Sequence, residues 1–344
     1  MISESETGHV KIGVVGAGSW GTAISNLLGQ KGFDVSLWAY EREVKAQIND
    51  FKENRYFLSG VPLSPRIVAS NDLEAVAGEK DLLVLVAPSH VMRDVTQKMA
   101  GCVNEKTIVV SASKGIENET LLTMSEVLRE GLPRLAEGRI AVLSGPSFAR
   151  EVARQSPTLV TVACKDPQVA ELVQHVFATP YFRVYTHDDL IGVELGGAVK
   201  NVIAIAAGVI DGLGLGLNTR AAMITRGLAE IRRLGLKMGA NPFTFAGLAG
   251  AGDLVLTCTG NLSRNYTVGK MIGEGKKLKE ILAEMRMVAE GVKTARSVYN
   301  LSRKLEVEMP ISHHVYYILY EDLPPDQALQ QLMNRDLKPE LGAY

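Results

Sequence analysis

The sequence predicts an α/β protein, with an N-terminal Rossmann-type doubly wound parallel sheet followed by a mainly α-helical C-terminal domain. Apolar strand-like runs alternate with helical segments through the first half of the chain, and these strand signals stop after about His187. The 344 residues are 46% hydrophobic, which provides enough apolar side chains for two cores. We therefore expect a dinucleotide-binding domain at residues 1–189 and a substrate-binding domain at residues 190–344.

The strand-like runs are short, and several of them are almost continuously apolar. Such runs are typical of parallel strands that helices cover on both faces. In chain order, from Lys11 to about Lys165, they are KIGVVGA, DVSLWA, DLLVLVA, TIVVSAS, IAVLSG and TLVTVAC. The second half of the chain predicts helices at residues 190–209, 219–237, 266–272, 292–305 and 325–332.

Charge and cysteine content bear on the class of partner. Lys and Arg total 37 against 38 Asp and Glu, so no excess charge indicates nucleic acid or an anionic membrane as a partner. The three cysteines lie far apart, and the chain starts without a signal-peptide pattern, which together predict a cytoplasmic protein. The apolar stretch VIAIAAGVI is too short for a membrane span and predicts a buried core helix. We expect no metal site, and we place His313 and His314 at a loop edge.

A glycine-rich turn follows the first strand-like run. Gly16, Gly18 and Gly21 have the spacing GxGxxG between a strand and a helix, the context in which this motif binds a dinucleotide. The first glycine permits the tight turn, the second lets the backbone approach a pyrophosphate, and the third lets helix and strand pack closely. N–H groups at the helix start attract the phosphates. The alternative interpretation is a tight turn that binds no ligand.

The segment SLWAYEREV leaves the choice between NAD and NADP open. About 20 residues after the glycines, an acidic residue binds the ribose 2′-OH of NAD, or an arginine accommodates the 2′-phosphate of NADP. Glu41 suits the first role and Arg42 the second, while Tyr40 is placed to cover the adenine. Each of the three is equally consistent with a solvated loop start.

Polar residues follow two further strand-like runs, at the edge where open α/β sheets bind ligands. Ser89 and His90 follow the third run, where the turn could line the cofactor, although His90 by itself is more typical of a loop. Lys114 comes directly after the next strand and beside Gly115, within reach of a substrate oxygen and of the cofactor. The alternative for Lys114 is an exposed loop lysine.

The segment SGPSFAREV places Gly145, Pro146 and Ser147 before a helix expected to begin near Phe148. Ser147 has two interpretations. It suits the N-cap of that helix, which is the commonest role of such a serine. The same geometry would also present N–H groups to an anionic substrate.

The helical segment VELGGAVKNVIAIAAGVI carries polar side chains in apolar surroundings. We expect desolvation to lower the pKa of Lys200 towards the range useful for proton transfer. Glu194 and Asn201 are seven residues apart and share one face of the helix. The alternative is that Lys200 extends out of a core helix into water. Because Asn201 and two glycines are close by, we favour a functional surface.

A second anion site is predicted in the segment GNLSRNYTVG. Ser263, Arg264 and Asn265 stand at an expected helix start, which combines backbone N–H donors with a guanidinium that binds phosphate in bidentate fashion. A capped helix with an exposed arginine is the alternative. Asp253 follows the small-residue turns of FAGLAGAGDLVLTC shortly before this segment. A second anion site in a cofactor-binding protein indicates a phosphorylated substrate.

The blocks GAGSWGTA, SASKGIE, SGPSFAREV, ELGGAVKNVIAIAAG, GLAGAGDL and SRNYTVG occur in this order between about Lys11 and about Met309. Together they resemble the bacterial-type NAD(P)-dependent glycerol-3-phosphate dehydrogenase family. The resemblance implies reversible hydride transfer between NAD(P)H and dihydroxyacetone phosphate. It also implies a cytoplasmic homodimer that supplies sn-glycerol 3-phosphate for glycerophospholipid synthesis.

The resemblance also implies roles for particular residues. Lys200 matches the proton-transferring lysine of the family. Substrate-holding positions of the family match Lys114, Gly145, Ser147, Lys200, Asp253, Ser263, Arg264 and Asn265. Cofactor-contacting positions match Gly16, Gly18, Ser19, Trp20, Gly21, Phe57, Lys114, Ala149, Arg264, Val288 and Glu290. Tyr40 stands where the family commonly has histidine or arginine.

Two other functions remain as alternatives. The first is a 3-hydroxyacid dehydrogenase built on the same plan, whose substrate would carry a carboxylate where we expect a phosphate. The second is a non-catalytic dinucleotide sensor. That function would leave Lys200 in its apolar helix unexplained.

Overall fold

The computed structural model describes residues 10–260, 262–285 and 289–340. These residues form two compact units. The first unit contains the residues up to Lys114 together with Thr123–Val193, and the second contains Gly115–Leu122 together with the residues from Glu194 onwards. The predicted boundary at residue 189 therefore lies close to the observed division, whereas the functions assigned to the two domains remain predictions.

The first unit is built on one eight-stranded sheet with the strand order β3-β2-β1-β4-β5-β6-β7-β8. Neighbouring strands are parallel except β6 and β7, which are antiparallel. Its core is a cluster of buried aliphatic and aromatic side chains from the strands and the helices that cover them. The strands are β1 Ile12–Val15, β2 Val35–Trp38, β3 Ile67–Ser70, β4 Leu82–Leu85, β5 Ile108–Ser111, β6 Ile140–Ser144, β7 Thr158–Cys164 and β8 Phe182–His187.

The predicted fold class is confirmed, with two corrections to the sheet. Strands β3 and β8 were not predicted, because both lie at the edges of the sheet and alternate buried with exposed residues, such as exposed Val68 in β3. The second correction is the antiparallel pairing of β6 with β7. An almost continuous apolar run indicates burial on both faces, but burial does not determine the direction of a strand.

Helices of the first unit follow most of its strands and cover the sheet. The first of them, α1, begins at Ser19 directly after the glycine turn. These helices are α1 Ser19–Gln30, α2 Arg42–Phe51, α3 Leu73–Ala77, α4 Met92–Met99, α5 Met124–Gly131, α6 Ala149–Ala153 and α7 Pro167–Phe177.

From Leu190 onwards, the described residues form helices joined by turns. Each predicted helix is present, with its ends shifted by no more than a few residues, and α10, α12 and α14 are additional to the prediction. The helices are α8 Leu190–Gly212, α9 Gly216–Lys237, α10 Asp253–Thr259, α11 Arg264–Gly273, α12 Leu278–Glu284, α13 Glu290–Lys304, α14 Pro310–Tyr320 and α15 Pro325–Met333.

The expectation that His313 and His314 lie at a loop edge is wrong. Both histidines are in α14, and Nε2 of His313 lies 2.7 Å from Oγ of Ser302. Met309, the residue before α14, provides no capping side chain, so Pro310 at the first helical position is the start signal in the local sequence. Among the residues that the structure describes, no three His, Cys, Asp or Glu side chains gather as metal ligands.

The segment Gly115–Leu122 belongs to the second unit, although we predicted it within the first domain. Its anchor is Ser297 in α13, which is wholly buried. The Ser297 hydroxyl lies 2.8 Å from the Ile116 carbonyl oxygen and 2.9 Å from Oδ1 of Asn118. These contacts join residues that are far apart in the sequence, so the local pattern of apolar residues did not predict them.

Helices α8 and α11 pack through glycines, with backbone against backbone. Gly208 and Gly212 on α8 face Gly269 and Gly273 on α11. A Cβ at Gly208 would collide with the carbonyl oxygen of Tyr266, and a Cβ on any of the other three glycines would also meet backbone atoms. The four glycines therefore fix the separation of the two helices.

Helix α8 is the one described helix that is long and apolar enough to cross a membrane. The apolar stretch VIAIAAGVI is only part of this longer helix. However, 94% of its most apolar window is buried inside the protein. Burial on all sides is typical of a core helix, so the prediction of a buried core helix is confirmed.

Glu230 of α9 forms hydrogen bonds with the start of α14. From the burial of its carboxyl group we predict that the stability of the protein depends on pH. The carboxylate accepts hydrogen bonds from the N–H of Ile311 at 2.6 Å and from the N–H and hydroxyl of Ser312 at 3.0 and 2.9 Å. Desolvation outweighs these bonds and raises the pKa of Glu230 from 4.5 to about 7. Because the raised pKa means that folding favours the protonated acid, its stabilising contribution is complete below pH 4.5 and disappears as the pH rises through 7.

We expect this group to lower the free energy of unfolding by about 3 kcal/mol between those two pH values. Glu230→Gln should flatten the pH dependence in the same window, because an amide does not titrate. Denaturant unfolding at several pH values measures the free energy of unfolding of the wild type and of the variant. If the free energy of unfolding changed with pH by the same amount in the variant and the wild type, Glu230 would not be the group responsible.

Candidate active site

The glycine turn has the geometry that the sequence predicts. Gly16 has a φ of +117°, a conformation that favours glycine, and a Cβ there would lie 3.0 Å from the backbone of Val86. A Cβ at Gly21 would collide with the carbonyl oxygen of Gly16. Gly16 and Gly21 are therefore required by the turn and by the close contact of α1 with β1.

Gly18 differs from the other two glycines because a Cβ there would meet no atom within 4 Å. It precedes α1, and its φ of −67° is open to any residue. The protein itself therefore gives no reason for glycine at this position. A pyrophosphate that approaches the backbone does give one, so this turn fits a dinucleotide.

Two alanine variants separate the roles of these glycines. We expect Gly18→Ala to leave the free energy of unfolding within about 0.5 kcal/mol of wild type. Its dinucleotide Kd should rise about tenfold or more, because the methyl group occupies the space of the pyrophosphate. Gly21→Ala should instead destabilise the fold by about 1–3 kcal/mol. Calorimetric dinucleotide titration and denaturant unfolding measure both effects, and unchanged affinity in Gly18→Ala would contradict the proposed site.

Other residues that we predicted to contact the cofactor also belong to the first unit. Ser19 and Trp20 are the first two residues of α1, and the side chains of Trp20 and Phe57 pack against the core of the unit. Ala149 is the first residue of α6 and packs against the same core. Their contacts with a cofactor remain predictions.

The residues that bear on the choice between NAD and NADP follow β2. Tyr40 is 79% exposed, and its ring meets Trp38 edge-on with ring centroids 6.1 Å apart. Glu41 is the N-cap of α2 and Arg42 is its first residue, and both are exposed. All three residues are accessible at the carboxyl end of β2, so the alternatives that the sequence left open stay open.

At the other strand ends, the structure corrects two details. Lys114 is half-buried and lies three residues beyond the end of β5, not directly after it. Ser147 is not the N-cap of α6: Phe148 holds that position, and the Ser147 hydroxyl donates to the carbonyl oxygen of Gly145 at 2.9 Å. Gly145 has a φ of +141°, so this turn requires glycine.

The turn after β4 carries Ser89 and His90, in a short 3₁₀ helix Ser89–Val91. Ser89 is buried and His90 is exposed. The exposure of His90 agrees with its interpretation as a surface histidine. A contact of this turn with the cofactor remains a prediction.

The second unit holds a buried ion pair between Lys200 and Asp253. Lys200 is 6% exposed and Asp253 is 1% exposed. The Lys200 ammonium donates to Oδ1 of Asp253 and, at 2.8 Å, to the hydroxyl of Thr257. The Thr257 hydroxyl in turn donates to the Asp253 carbonyl oxygen at 2.6 Å. The lysine is therefore held in one place and does not extend into water, which was the alternative.

This arrangement changes the electrostatic argument made from the sequence. Desolvation disfavours the ammonium of Lys200, whereas the adjacent Asp253 carboxylate favours it. The expected lowering of the Lys200 pKa took account of desolvation alone, and Asp253, 53 residues away in the chain, adds the opposing effect. A buried ammonium with a fixed carboxylate partner can donate a proton to an oxygen beside it and then recover one.

Thr257 and Cys258 were not predicted as neighbours of this pair. Thr257 is four residues after Asp253 on α10, so helical spacing places both on one face, and this signal was available in the sequence. Cys258 is wholly buried, and desolvation raises the pKa of its thiol to about 12 even though the charge of Lys200 lowers it. The thiol therefore stays protonated and takes no part in proton transfer at neutral pH.

The predicted phosphate site lies at the start of α11. Ser263 is the N-cap of this helix, and its hydroxyl accepts a hydrogen bond from the N–H of Tyr266 at 3.2 Å. Arg264 is the first helical residue and is exposed as a whole, but burial of its guanidinium lowers the pKa of this group, while the charge of Glu290 raises it. The predicted helix start is therefore present, with Arg264 as its first residue.

Asn265 connects this helix start to the helix that carries Lys200. Its amide nitrogen donates to Oδ1 of Asn201 at 2.9 Å, and its amide oxygen accepts from the N–H of Gly291 at 2.9 Å. A Cβ at Gly291 would lie 2.6 Å from the Asn201 carbonyl oxygen. Gly291 follows Glu290 at the start of α13, so three helices meet here. Val288, another predicted cofactor residue, lies outside the described residues.

The sheet with its glycine turn and the buried lysine–carboxylate pair define a dinucleotide-dependent dehydrogenase. Two family models match the chain: NAD-dependent glycerol-3-phosphate dehydrogenase N-terminus over residues 11–170 and the C-terminus of the same family over residues 189–330. The chain belongs to the NAD-dependent glycerol-3-phosphate dehydrogenase family. The resemblance inferred from the sequence is thereby confirmed.

Individual relatives agree with this assignment. The glycerol-3-phosphate dehydrogenase (NAD(P)+) of Geobacter sulfurreducens is 59% identical over 330 residues, which cover 96% of this chain and 98% of the relative. That of Geobacter metallireducens is 58% identical over 332 residues, 96% of this chain and 99% of the relative. The crystal structure of glycerol-3-phosphate dehydrogenase from Coxiella burnetii is 40% identical, has a TM-score of 0.91 and matches 95% of this chain and 99% of its own.

Proposed function

We propose that the protein is an NAD(P)-dependent glycerol-3-phosphate dehydrogenase that interconverts dihydroxyacetone phosphate and sn-glycerol 3-phosphate. The observation that supports it best lies in the second unit, which contains a buried Lys200–Asp253 pair and a helix start suited to binding an anion. A hydrogen bond between Asn201 and Asn265 connects the helices that carry them. Ketone reduction needs a proton donor, and a phosphorylated substrate needs an anion site. Both requirements are met by residues of this chain.

When bound, NAD(P)H supplies a hydride from C4 of its nicotinamide to the ketone carbon. Lys200 donates a proton from Nζ to the carbonyl oxygen, and Asp253 holds Lys200 in place through its carboxylate. Thr257 restricts the ammonium further by accepting its second hydrogen bond. In the reverse direction the neutral amine of Lys200 removes the hydroxyl proton.

The substrate phosphate is assigned to the start of α11. Arg264 supplies a planar guanidinium with two parallel N–H donors, and the first N–H groups of the helix supply further donors. Lys114, Gly145 and Ser147 of the first unit complete the proposed substrate contacts. In the second unit, Asn201 is assigned to the carbonyl oxygen of the substrate.

The cofactor is assigned to the glycine turn of the first unit. Gly18 and the first N–H groups of α1 bind the pyrophosphate, and Trp20 and Phe57 line its surroundings. Tyr40 and Ala149 are also assigned to the cofactor. From the second unit we assign Arg264, Val288 and Glu290.

The test is a cofactor-absorbance assay with dihydroxyacetone phosphate, run in parallel with NADH and NADPH. We expect oxidation of at least one cofactor with this substrate and none with 3-keto acids. Oxidation with a keto acid alone would favour the 3-hydroxyacid dehydrogenase. Cofactor binding without turnover of any substrate would favour the dinucleotide sensor.

We further propose a cytoplasmic homodimer that supplies glycerophospholipid synthesis. The apolar helices of the second unit and the membership of the family support the dimer. Light scattering on the purified protein measures its mass directly, and a mass of 37.2 kDa would indicate a monomer. Loss of phospholipid synthesis on depletion of the protein, restored by added glycerol 3-phosphate, tests the cellular role.

A further inference from the structure

Asn54 is a wholly buried polar residue in the loop after α2, and it is not among the residues assigned to the cofactor or the substrate. Its amide nitrogen donates to the carbonyl oxygen of Ala17 at 2.9 Å and to the hydroxyl of Thr22 at 2.8 Å. Its amide oxygen accepts from the N–H of Phe57 at 3.1 Å. Asn54 therefore uses both halves of its amide, one towards the glycine turn and one towards the Phe57 loop.

The bond to Ala17 determines how the glycine turn presents its backbone. Ala17 lies between Gly16 and Gly18, and its carbonyl oxygen also accepts from the Thr22 hydroxyl at 3.1 Å. A trans peptide is planar, with its C=O and N–H pointing in opposite directions. With the Ala17 carbonyl held towards Asn54, the N–H of Gly18 must point away from Asn54. Gly18 is the position where a Cβ would meet open space.

The second half of the Asn54 amide acts on the loop that carries Phe57. Besides the bond from the Phe57 N–H to the side chain of Asn54, the main-chain carbonyl oxygen of Asn54 accepts from the N–H of Leu58 at 2.9 Å. These bonds close a tight turn over residues 54–58 and fix the backbone of Phe57, whose ring packs against the core of the first unit. One side chain thus sets the relative position of the glycine turn and the Phe57 loop.

We propose that Asn54 is a positioning residue for the dinucleotide, which fixes both the direction of the Gly18 N–H and the place of Phe57. The proposal rests on the cofactor assignment of the proposed function. Asn54 bonds to the glycine turn and to Phe57 and is not among the residues assigned to the substrate, so its loss should weaken cofactor binding and leave the chemical step unchanged.

Asn26 provides the matched control. It is 1% exposed, lies in the same unit, and likewise uses both halves of its amide, donating to the Pro62 carbonyl oxygen at 3.4 Å and accepting from the Ser64 N–H at 2.8 Å. Its partners, Pro62 and Ser64, belong neither to the glycine turn nor to the tight turn over residues 54–58. A loss of buried asparagine hydrogen bonds as such should therefore affect both variants alike.

The experiment measures dinucleotide affinity directly in wild type, Asn54→Ala and Asn26→Ala. The chain has two tryptophans, and both are at the turn: Trp20 is the second residue of α1, and the Trp38 carbonyl oxygen accepts from the Gly16 N–H at 3.2 Å. Quenching of their fluorescence therefore reports binding of NADH or NADPH without turnover. We expect the Kd of Asn54→Ala to rise about tenfold or more, as for a lost buried hydrogen bond, and that of Asn26→Ala to stay within about twofold.

Steady-state kinetics supply the second readout. For Asn54→Ala we expect the KM for NAD(P)H to rise about as much as the Kd, with kcat and the KM for dihydroxyacetone phosphate within about twofold of wild type. Wild-type affinity in Asn54→Ala, or an equal loss in Asn26→Ala, would overturn the proposal. A wild-type protein that binds neither cofactor would instead overturn the proposed function.

Thr22→Val keeps the test valid if Asn54→Ala does not fold. Valine preserves the shape of this buried threonine but removes the hydroxyl that links Ala17 and Asn54. We expect a Kd increase of about threefold, smaller than for Asn54→Ala because the direct bond from Asn54 to Ala17 remains. An unchanged Kd for Thr22→Val would contradict the proposed role of this hydrogen-bond network.

Discussion

Replacing Lys200 with alanine should abolish turnover and leave dinucleotide affinity nearly unchanged. Lys200 is the proposed proton donor, and loss of a positioned acid–base group typically lowers the rate about 10²–10⁴-fold. Because Lys200 is assigned to the substrate and not to the dinucleotide, the Kd for NAD(P)H should stay within about twofold of wild type. Single-turnover absorbance and fluorescence titration measure the two quantities.

An exposed lysine provides the control for Lys200→Ala. Lys270 lies on α11 with its side chain 50% exposed, and Lys270→Ala should retain wild-type turnover. Addition of primary amines should restore part of the rate to Lys200→Ala, because a small ammonium can occupy the vacated volume and donate the proton. Near-normal turnover in Lys200→Ala would show that this lysine is not the proton donor.

Asp253→Ala should combine a large loss of stability with a large loss of rate. It leaves the ammonium of Lys200 buried without a carboxylate, and breaking a buried ion pair in this way typically costs about 3–5 kcal/mol of the free energy of unfolding. The rate should fall because Lys200 is no longer held beside the substrate oxygen. Denaturant unfolding and steady-state kinetics check the two effects.

A double variant separates the loss of stability from the loss of rate. Lys200→Met combined with Asp253→Leu removes both charges and fills the volume with apolar side chains, so we expect it to recover most of the stability that Asp253→Ala loses. It should remain inactive, because no proton donor is present. A stable Asp253→Ala protein, or a double variant no more stable than Asp253→Ala, would contradict the view that the uncompensated ammonium causes the loss.

The parts of the fold that the sequence predicted correctly are those that leave a local pattern. Central strands such as β1 and β4 are apolar on both faces, and α1 follows its glycine turn directly. Edge strands β3 and β8 carry exposed residues on one face, such as Val68 and Arg183, and so resemble loops. The start of α14 was missed for a different reason, since its cap is Glu230 from another helix.

In the candidate site, the same distinction separates what was predicted from what was not. The roles of Gly16 and Gly21 follow from spacing within one turn. The fixing of the glycine turn by Asn54 was not predicted, because it depends on a contact between residues 37 positions apart in the chain. The interpretation of Ser147 as an N-cap was wrong because Phe148 occupies that position, a difference of one residue.

The glycine contacts between α8 and α11 have a consequence for substrate choice. Asn201 and the proposed proton donor are on α8, and the proposed phosphate-binding end is on α11. Where two backbones touch, no change of side-chain rotamer can alter the distance between the two helices. The distance between the proposed proton donor on α8 and the proposed phosphate-binding end of α11 is therefore fixed. Selection for longer or shorter substrates would have to reshape the turns at the helix ends, because the spacing of the helices themselves is already at its steric minimum.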